Sequence, residues 1–171
     1  FRTQYDKPGD PQSLDCTMNI TVLDPLADPM IHKAFPGGIE DLREYVLEIQ
    51  GLKDHWVKNL NDPADTRWEY TYHGRLARYG SWREKTADGG SREAGGFKIE
   101  QIERVIDKLA RQPFTRQAQM ITWMPNLDLD CYDPPCLQSL WYRILDSGDG
   151  VWLLNCNVRF RSNDAWGASF M

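Results

Sequence analysis

The chain has 171 residues, of which 41% are hydrophobic and 26% are charged, and its formal net charge is −5. This length and composition are ordinary for one soluble globular domain. The negative charge argues against a nucleic-acid partner, which a basic excess would attract, and no apolar run approaches the roughly 20 residues of a membrane span.

The four cysteines form no CxxC pair and the three histidines add no metal-ligand spacing, so we expect no metal site. The chain shows no signal-peptide pattern, and its size does not suit a disulfide scaffold, so we expect a reduced, cytoplasmic protein. It begins at Phe1 and ends at Met171 inside an apolar stretch. We therefore expect it to be a segment of a longer protein.

The N-terminal third predicts one strand and one long helix. Residues Leu14–Leu23 alternate as a strand does, and an Asp-Pro pair ends the pattern. After a Pro-Gly-Gly turn, apolar residues keep helical spacing from about Ile39 to Leu60. Gly51 lies inside this predicted helix and indicates a kink or a close approach.

The middle of the chain predicts a second helix between loops. A loop at 61–66 precedes the aromatic run Trp68–His73, for which core or strand packing is the ordinary explanation. The composition of Thr86–Gly96 predicts a flexible surface loop. An amphipathic helix is predicted from about Lys98 to Arg111, where Pro113 follows and ends it.

The C-terminal part is rich in strand patterns. Ala118–Met124 predicts one strand, and Leu137–Leu145 with Val151–Arg161 predict a hairpin. No interior linker is long enough to separate two domains. The sequence therefore predicts a single α+β domain over residues 1–171.

Cys136 is the strongest candidate for chemistry. Two prolines stiffen the approach to it, and a strand pattern leaves it. A free cysteine is ordinarily a small buried hydrophobe, which suits Cys16 and Cys156 inside strand patterns, while Cys131 lies in a loop without a partner signal. A nucleophilic thiolate needs nearby positive charge, and Arg161 is the last residue of the strand expected to pair with the one that Cys136 opens.

Arg161-Ser162 at a strand end is also a candidate anion clamp. A guanidinium fork and a hydroxyl can both donate hydrogen bonds to phosphate oxygens. The alternative is a solvated arginine, which is the ordinary role of such a residue.

Several of these features together resemble the family of thymidylate synthases and pyrimidine-nucleotide hydroxymethylases. Pro135-Cys136 is followed by a hairpin and then by Arg161-Ser162-Asn163-Asp164, as in that family. Arg2-Thr3 is similar to the family's N-terminal phosphate loop.

Two further positions extend the resemblance. Glu44 stands seven residues before Gly51 in Glu-x5-Gln-Gly, like the family's catalytic glutamate. Arg116, seven residues before Trp123, occupies the place of the arginine that reaches the partner subunit's phosphate site. Without the resemblance, Glu44 would be taken for an exposed helix carboxylate.

The resemblance implies a thymidylate synthase-like fold, with a mixed β-sheet flanked by helices and a homodimer formed through the sheet. The implied reaction is one-carbon transfer to C5 of a pyrimidine nucleotide monophosphate, with 5,10-methylenetetrahydrofolate as the cofactor. Cys136 would add to C6 of the base. Glu44 would relay protons, and Glu48, one turn further along, is the alternative.

The resemblance also implies binding roles. Arg161 would bind phosphate and keep the nucleophile ionised, and Asp164 and Trp68 would contact the folate. The rest of the phosphate site and the possible pocket would be formed by Arg2, Ser162, Arg116 of the other subunit, Tyr72 and Trp141.

The sequence also departs from thymidylate synthases. Where they have a His after the nucleophile and a Gln five residues after it, this chain has Leu137 and Trp141, and Gln117 replaces a second arginine. Asn163 and the missing His favour a hydroxymethylase, with thymidylate synthase as the alternative and a non-catalytic nucleotide-binding module or a cysteine hydrolase as other classes. The base-reading position would be 172, one past Met171, so the base stays open.

Overall fold

The computed structural model describes residues 1–28, 33, 37–58, 64–85 and 91–163. Within these residues helices and antiparallel strands combine in an α+β architecture, as predicted. The helices are α1 (Ile39–Ile49), α2 (Tyr72–Ala77), α3 (Gln101–Arg111) and α4 (Pro125–Asp128), and the strands are β1 (Trp82–Lys85), β2 (Ser91–Ala94), β3 (Gln119–Ile121), β4 (Leu137–Asp146) and β5 (Trp152–Phe160).

The first helix is shorter than predicted and ends at Ile49 rather than near Leu60. Gly51 has a φ of +81°, which continues no right-handed helix and suits glycine. The amide of Leu52 donates to the carbonyl of Leu47 at 3.0 Å, closing the helix end. The kink that Gly51 indicated is thus a helix terminus.

The larger sheet has the strand order β3-β4-β5. The predicted hairpin is confirmed, with Leu145 opposite Leu153 and Leu137 opposite Phe160. Every strand pair among the described residues is antiparallel, which corrects the expected mixed sheet. The parallel bridge between Val57 and Trp68 stands outside the named strands.

The core lies between α3 and this sheet. Its buried members are Val105, Ala118 and Met120, and the side chains packed on them come from α2, α3 and β4: Leu76, Ile102, Leu109, Leu140 and Tyr142. The predicted second helix is confirmed from Gln101 onward, although Ile106, expected on the apolar face, is 62% exposed.

Two strand predictions need correction. Residues Leu14–Leu23 form no strand, and Leu14 is 99% exposed, because no neighbouring strand pairs with the alternating pattern. The segment predicted as a loop at Thr86–Gly96 contains β2, which pairs with β1 in a separate two-stranded sheet. The strand predicted at Ala118–Met124 is confirmed over Gln119–Ile121.

A buried ion pair fixes α2 beside the strand that precedes the nucleophile. Arg75 donates to both carboxylate oxygens of Asp128, at 2.7 and 3.1 Å, and Asp128 also accepts from the amide of Met124 at 2.7 Å. Arg75 further donates to the carbonyl of Thr122, and Thr122 donates through its hydroxyl to the carbonyl of Leu137. Helix α2 and the start of β4 are therefore tied to the same short segment.

Candidate active site

Cys136 lies at the start of β4, half-buried behind the buried Pro135. Its carbonyl accepts from the amide of Arg161 at 2.9 Å. The side-chain amide of Gln138 donates to the carbonyl of Pro135 at 2.9 Å. The residue is therefore held in a rigid turn on both sides, as the two prolines predicted.

Arg161 packs directly against this turn. Its Nε donates to the carbonyl of Pro135 at 3.1 Å, and one terminal nitrogen donates to the carbonyl of Pro134 at 2.6 Å. The guanidinium thus brings a permanent positive charge to the residues just before Cys136. The sequence prediction that these two residues meet across paired strands is confirmed at the level of the backbone.

Helix α2 brings a tyrosine to the other side of the turn. The hydroxyl of Tyr72 accepts from the amide of Leu137, the residue after Cys136, at 3.4 Å. The rings of Tyr70 and Tyr72 meet edge to face, with their centres 5.5 Å apart. Burial, together with Tyr72, raises the pKa of Tyr70 well above its ordinary value of 10.0, so that this phenol keeps its proton.

A cavity of about 250 Å³ opens beside this tyrosine pair. Aromatic rings and carboxylates form its wall, contributed by α1, by the segment before α2, by the first residue of α2 and by the turn before Cys136: Tyr45, Glu48, Trp68, Glu69, Tyr70, Tyr72 and Asp133. Such a wall can stack against a planar heterocycle and accept hydrogen bonds from its ring N–H or amino groups.

Glu48 is the buried carboxyl group of this cavity and is only 4% exposed. One of its oxygens accepts from the amide of Tyr72 at 2.7 Å, while the other has no hydrogen-bond partner. Burial raises the pKa of Glu48 above its ordinary value of 4.5, although the Tyr72 hydrogen bond lowers it in part. A carboxyl group with a raised pKa and a free oxygen holds its proton to higher pH than an ordinary carboxyl group and can donate it to a group in the cavity.

Glu44, which the sequence favoured, lies one turn away on the same helix and outside the cavity wall. Its side chain is 61% exposed and forms an ion pair with Lys53, whose Nζ lies 2.6 Å from the carboxylate. Glu44 and Glu48 share one face of α1, being four residues apart, and what separates them is their position along the helix: Glu48 meets the Tyr72 amide, whereas Glu44, one turn earlier, meets Lys53 and solvent.

The proposed phosphate-binding residues do not all meet in the described structure. Arg2 donates to the carbonyl of Asp10 at 2.7 Å and is half-exposed. Its segment nevertheless docks near the nucleophile, because the hydroxyl of Tyr5 donates to the carbonyl of Tyr132 at 3.0 Å. Ser162 is exposed just after β5, and Asp164 lies outside the described residues.

Two other predicted residues lie along the sheet. Arg116 is exposed just before β3, and its carbonyl accepts from the indole of Trp141 at 3.1 Å. The ring of Trp141 also lies 5.5 Å from the guanidinium of Arg143. Trp141 does not line the cavity, whereas Tyr72 and Trp68 do.

The sequence reasoning missed several contributors to this site. Asp133 lies three residues before Cys136 and could have been singled out with it. The helical spacing of α1 indicates only that Tyr45 is one of its apolar residues. Glu69 stands among aromatic residues, and no motif in the sequence marks it as part of a site. Threonine is a favoured N-cap residue, and Thr71 caps α2 by accepting from the amide of Gly74, three residues later. Recognising Thr71 as an N-cap would have placed Tyr72 at a helix start.

Metal and membrane features give no alternative site in the described part of the chain. No group of three or more His, Cys, Asp or Glu residues there could hold a metal ion. All four cysteines are free thiols. Among the described helices, none has the length and apolarity needed to cross a membrane.

Comparison with known proteins gives a consistent family. The family model described as thymidylate synthase matches residues 43–170. A protein of Methanocaldococcus jannaschii named "Putative thymidylate synthase" is 32% identical over 156 residues, covering 80% of this chain and 62% of that protein. Proteins of the same name from Methanopyrus kandleri and Methanosarcina barkeri are 32% and 29% identical, over 58% and 87% of this chain. The chain spans 41% to 62% of the length of these three relatives.

Proposed function

The chain belongs to the thymidylate synthase family, and on this basis we propose that its protein transfers a one-carbon unit to C5 of a pyrimidine nucleotide monophosphate. The observation that carries the proposal is the placement of Cys136 between the guanidinium of Arg161 and the hydroxyl of Tyr72, beside an aromatic cavity with a buried carboxyl group. That arrangement provides a nucleophile, a positive charge and a proton donor within one small region.

Cys136 is the proposed nucleophile. Its thiolate adds to C6 of the base, the C5–C6 electron pair shifts toward the ring carbonyl, and C5 becomes the carbon that attacks the one-carbon unit. Removal of the C5 proton then releases tetrahydrofolate and leaves an exocyclic methylene on C5. Water adding to that methylene expels the Cys136 thiolate, re-forms the C5–C6 double bond and gives the 5-hydroxymethyl product, whereas hydride from tetrahydrofolate in place of water would give a methyl group. Arg161 supports this role because its guanidinium donates to the carbonyls of Pro134 and Pro135 and so fixes the turn that presents the thiol.

Glu48 is proposed as the proton-handling group in place of Glu44. The carbonyl oxygen of the base gains negative charge when Cys136 adds, and a protonated carboxyl group can donate to it. Among the carboxyl groups of the described residues, Glu48 alone combines burial, a raised pKa and a free oxygen. Glu44 is exposed and engaged by Lys53.

The nucleotide phosphate is proposed to bind Arg161, Ser162 and Arg2, with Arg116 supplied by a second subunit. The resemblance to a family of homodimers supports this shared site, and the exposure of Arg116 leaves it accessible to a partner. Mixing an Arg116→Ala variant with a Cys136→Ser variant should restore activity in hybrid dimers. Failure to complement would remove Arg116 from the site.

The cofactor is proposed to be 5,10-methylenetetrahydrofolate, which supplies the one-carbon unit. The cavity residues fit its pterin ring: Trp68 and Tyr70 can stack on it, and the carboxylates of Glu69 and Asp133 can accept from its amino and ring N–H groups. Asp164 is proposed as a further acceptor for the same ring.

The product is proposed to be a 5-hydroxymethylated (d)CMP or dUMP, with methylation of dUMP to dTMP as the alternative. Leu137 and Trp141, in place of the family's His and Gln, support the first. The test incubates the full-length protein with dUMP, dCMP or CMP and methylenetetrahydrofolate. A 5-hydroxymethyl nucleotide without dihydrofolate is the expected result, and dihydrofolate formation with dTMP would establish methylation instead.

A further inference from the structure

Asp54 lies in the turn after α1, outside the cavity wall, and gathers three side chains from α2 and its flanks. The hydroxyl of Thr71 donates to one carboxylate oxygen at 2.6 Å. The other oxygen accepts from Arg78 at 2.8 Å and lies 2.8 Å from Nδ1 of His73. Burial raises the pKa of Asp54, but these partners outweigh it and lower the pKa below 3.8, so the group stays ionised.

Thr71 is the residue through which this carboxylate reaches the cavity. It is buried and caps α2, because its hydroxyl oxygen accepts from the amide of Gly74 at 3.0 Å. A hydroxyl has one proton to donate, and Asp54 takes it, so the cap has a single orientation. The backbone at the start of α2 is thereby fixed.

Two glycines let this network pack closely. A Cβ at Gly51 would lie 2.5 Å from the ring of His73, and one at Gly74 would lie 2.8 Å from the hydroxyl of Thr71. The end of α1 and the start of α2 therefore meet with little room to shift.

The next residue, Tyr72, makes the two contacts on which the site depends. Its amide donates to Glu48 at 2.7 Å, and its hydroxyl accepts from the amide of Leu137 at 3.4 Å, next to Cys136. A displacement of the start of α2 would disturb both contacts at once, because they come from one residue.

We propose that Asp54 is a positioning residue, which acts through Thr71 to hold Tyr72 against Glu48 and against the turn that carries Cys136. This assignment rests on the proposed function for its catalytic consequence. Its structural part, that Asp54 governs the Tyr72–Glu48 hydrogen bond, stands independently of what the enzyme transfers.

The test compares Asp54→Asn and Thr71→Val in the full-length protein. Each is expected to lower kcat by about 10- to 100-fold while KM for the nucleotide stays within about threefold, since misplacement affects the reacting groups more than binding. Each should also speed hydrogen exchange of the Tyr72 amide by about tenfold or more, because the backbone that carries this amide is no longer held against Glu48. Thr71→Ser, which keeps the hydroxyl, should restore both quantities toward the wild-type values.

Val105→Ala is the matched control for a general loss of stability. It opens a cavity in the α3 core and should lower Tm without changing the Tyr72 amide exchange or kcat beyond about twofold. The double variant Asp54→Asn/Thr71→Val should be no worse than either single variant, because both break the same connection.

The outcomes separate the two claims. Unchanged exchange of the Tyr72 amide in Asp54→Asn, or equal losses of kcat in Val105→Ala, would overturn the positioning role. If the wild-type protein transfers no one-carbon unit to any pyrimidine nucleotide, the proposed function fails, and the exchange measurements alone decide the role of Asp54.

Discussion

The cavity region and strand β5 distribute polar and apolar groups in opposite ways. Around the cavity, carboxylates such as Glu48 and Asp128 are buried and hydrogen-bonded. Along β5, the alternate residues Trp152, Leu154, Cys156, Val158 and Phe160 form an apolar stripe, whose four larger members are between 45% and 60% exposed.

Burying a polar group costs free energy unless the group is hydrogen-bonded or paired. A contiguous exposed apolar surface forgoes the free energy that burial would contribute, and such a surface often marks an interaction site. The cavity region has paired most of its buried polar groups within one chain. The apolar stripe continues the side of the sheet that α3 covers, since Cys156 and Val158 face Tyr142 and Leu140 across the ladder. We infer that another protein surface covers the stripe, whereas the polar groups of the cavity region find their partners within one chain.

Replacing the nucleophile should give the largest effect. Cys136→Ser removes the thiolate and should lower kcat by about 10⁴-fold or more, since no other group can add to C6. Release of tritium from a pyrimidine nucleotide labelled at C5 measures this step directly. Cys156→Ser, on the apolar stripe, is the matched control and should stay within about twofold, while substantial activity in Cys136→Ser would refute the assignment.

The next largest effect is a difference in kcat between substitutions of the two carboxylates of α1, Glu48 and Glu44. Glu48→Gln removes the proposed proton donor of the cavity and should lower kcat by about 10²- to 10³-fold. Glu44→Gln breaks only a surface ion pair with Lys53 and should change kcat less than about threefold. A larger loss of kcat in Glu44→Gln than in Glu48→Gln would assign the catalytic role to Glu44. It would also mean that α1 is positioned differently in the working enzyme.

The apolar stripe predicts a change in assembly. Leu154→Asp places a charge in the stripe and, if the stripe is the interface of the proposed homodimer, should weaken that dimer by about 30-fold or more, the effect of losing an interface residue worth about 2 kcal/mol. Asn155→Asp adds the same charge on the opposite face of β5 and is the control. Sedimentation velocity across a range of concentrations measures both, and identical behaviour of the two variants would exclude this stripe from the interface.

The elements that local pattern determines were predictable. Helix α3 and the β4–β5 hairpin carry their own periodicity and turn, and both are confirmed. The end of α1 was not predicted, because apolar spacing continues past Gly51 and only its positive φ reveals the terminus. The strand expected at Leu14–Leu23 failed for a different reason: alternation describes one strand but not whether a neighbour is present to pair with it.

The candidate site was predictable where covalent neighbours define it. Pro134, Pro135 and Cys136 indicated a rigid turn, and the hairpin brought Arg161 to it. The carboxyl group was harder, because Glu44 and Glu48 are both plausible by spacing and only the packing of Tyr72 on α1 distinguishes them. Asp54 could not be singled out, because its partners follow it by 17 to 24 residues and meet it only after α2 has formed.

The smallest predicted effect concerns stability rather than rate. In the folded state the pKa of Glu48 is raised above 4.5, so its ionisation favours the unfolded chain. Below pH 4.5 both states are protonated and the group costs nothing. As the pH rises toward the raised pKa, the unfolded chain releases its proton first and the free energy of unfolding falls.

Glu48→Gln should therefore be more stable than the wild type at neutral pH, and this advantage should vanish well below pH 4.5. Urea unfolding at several pH values measures this difference. Glu44→Gln provides the comparison, because it loses a surface ion pair and should be unchanged or slightly destabilised at neutral pH. A residue that weakens the fold when ionised is retained against stability, and a stabilised but inactive Glu48→Gln would show that the cavity keeps this carboxyl group for its chemistry. Equal pH dependence in Glu48→Gln and the wild type would instead show that the carboxyl group is solvated in solution.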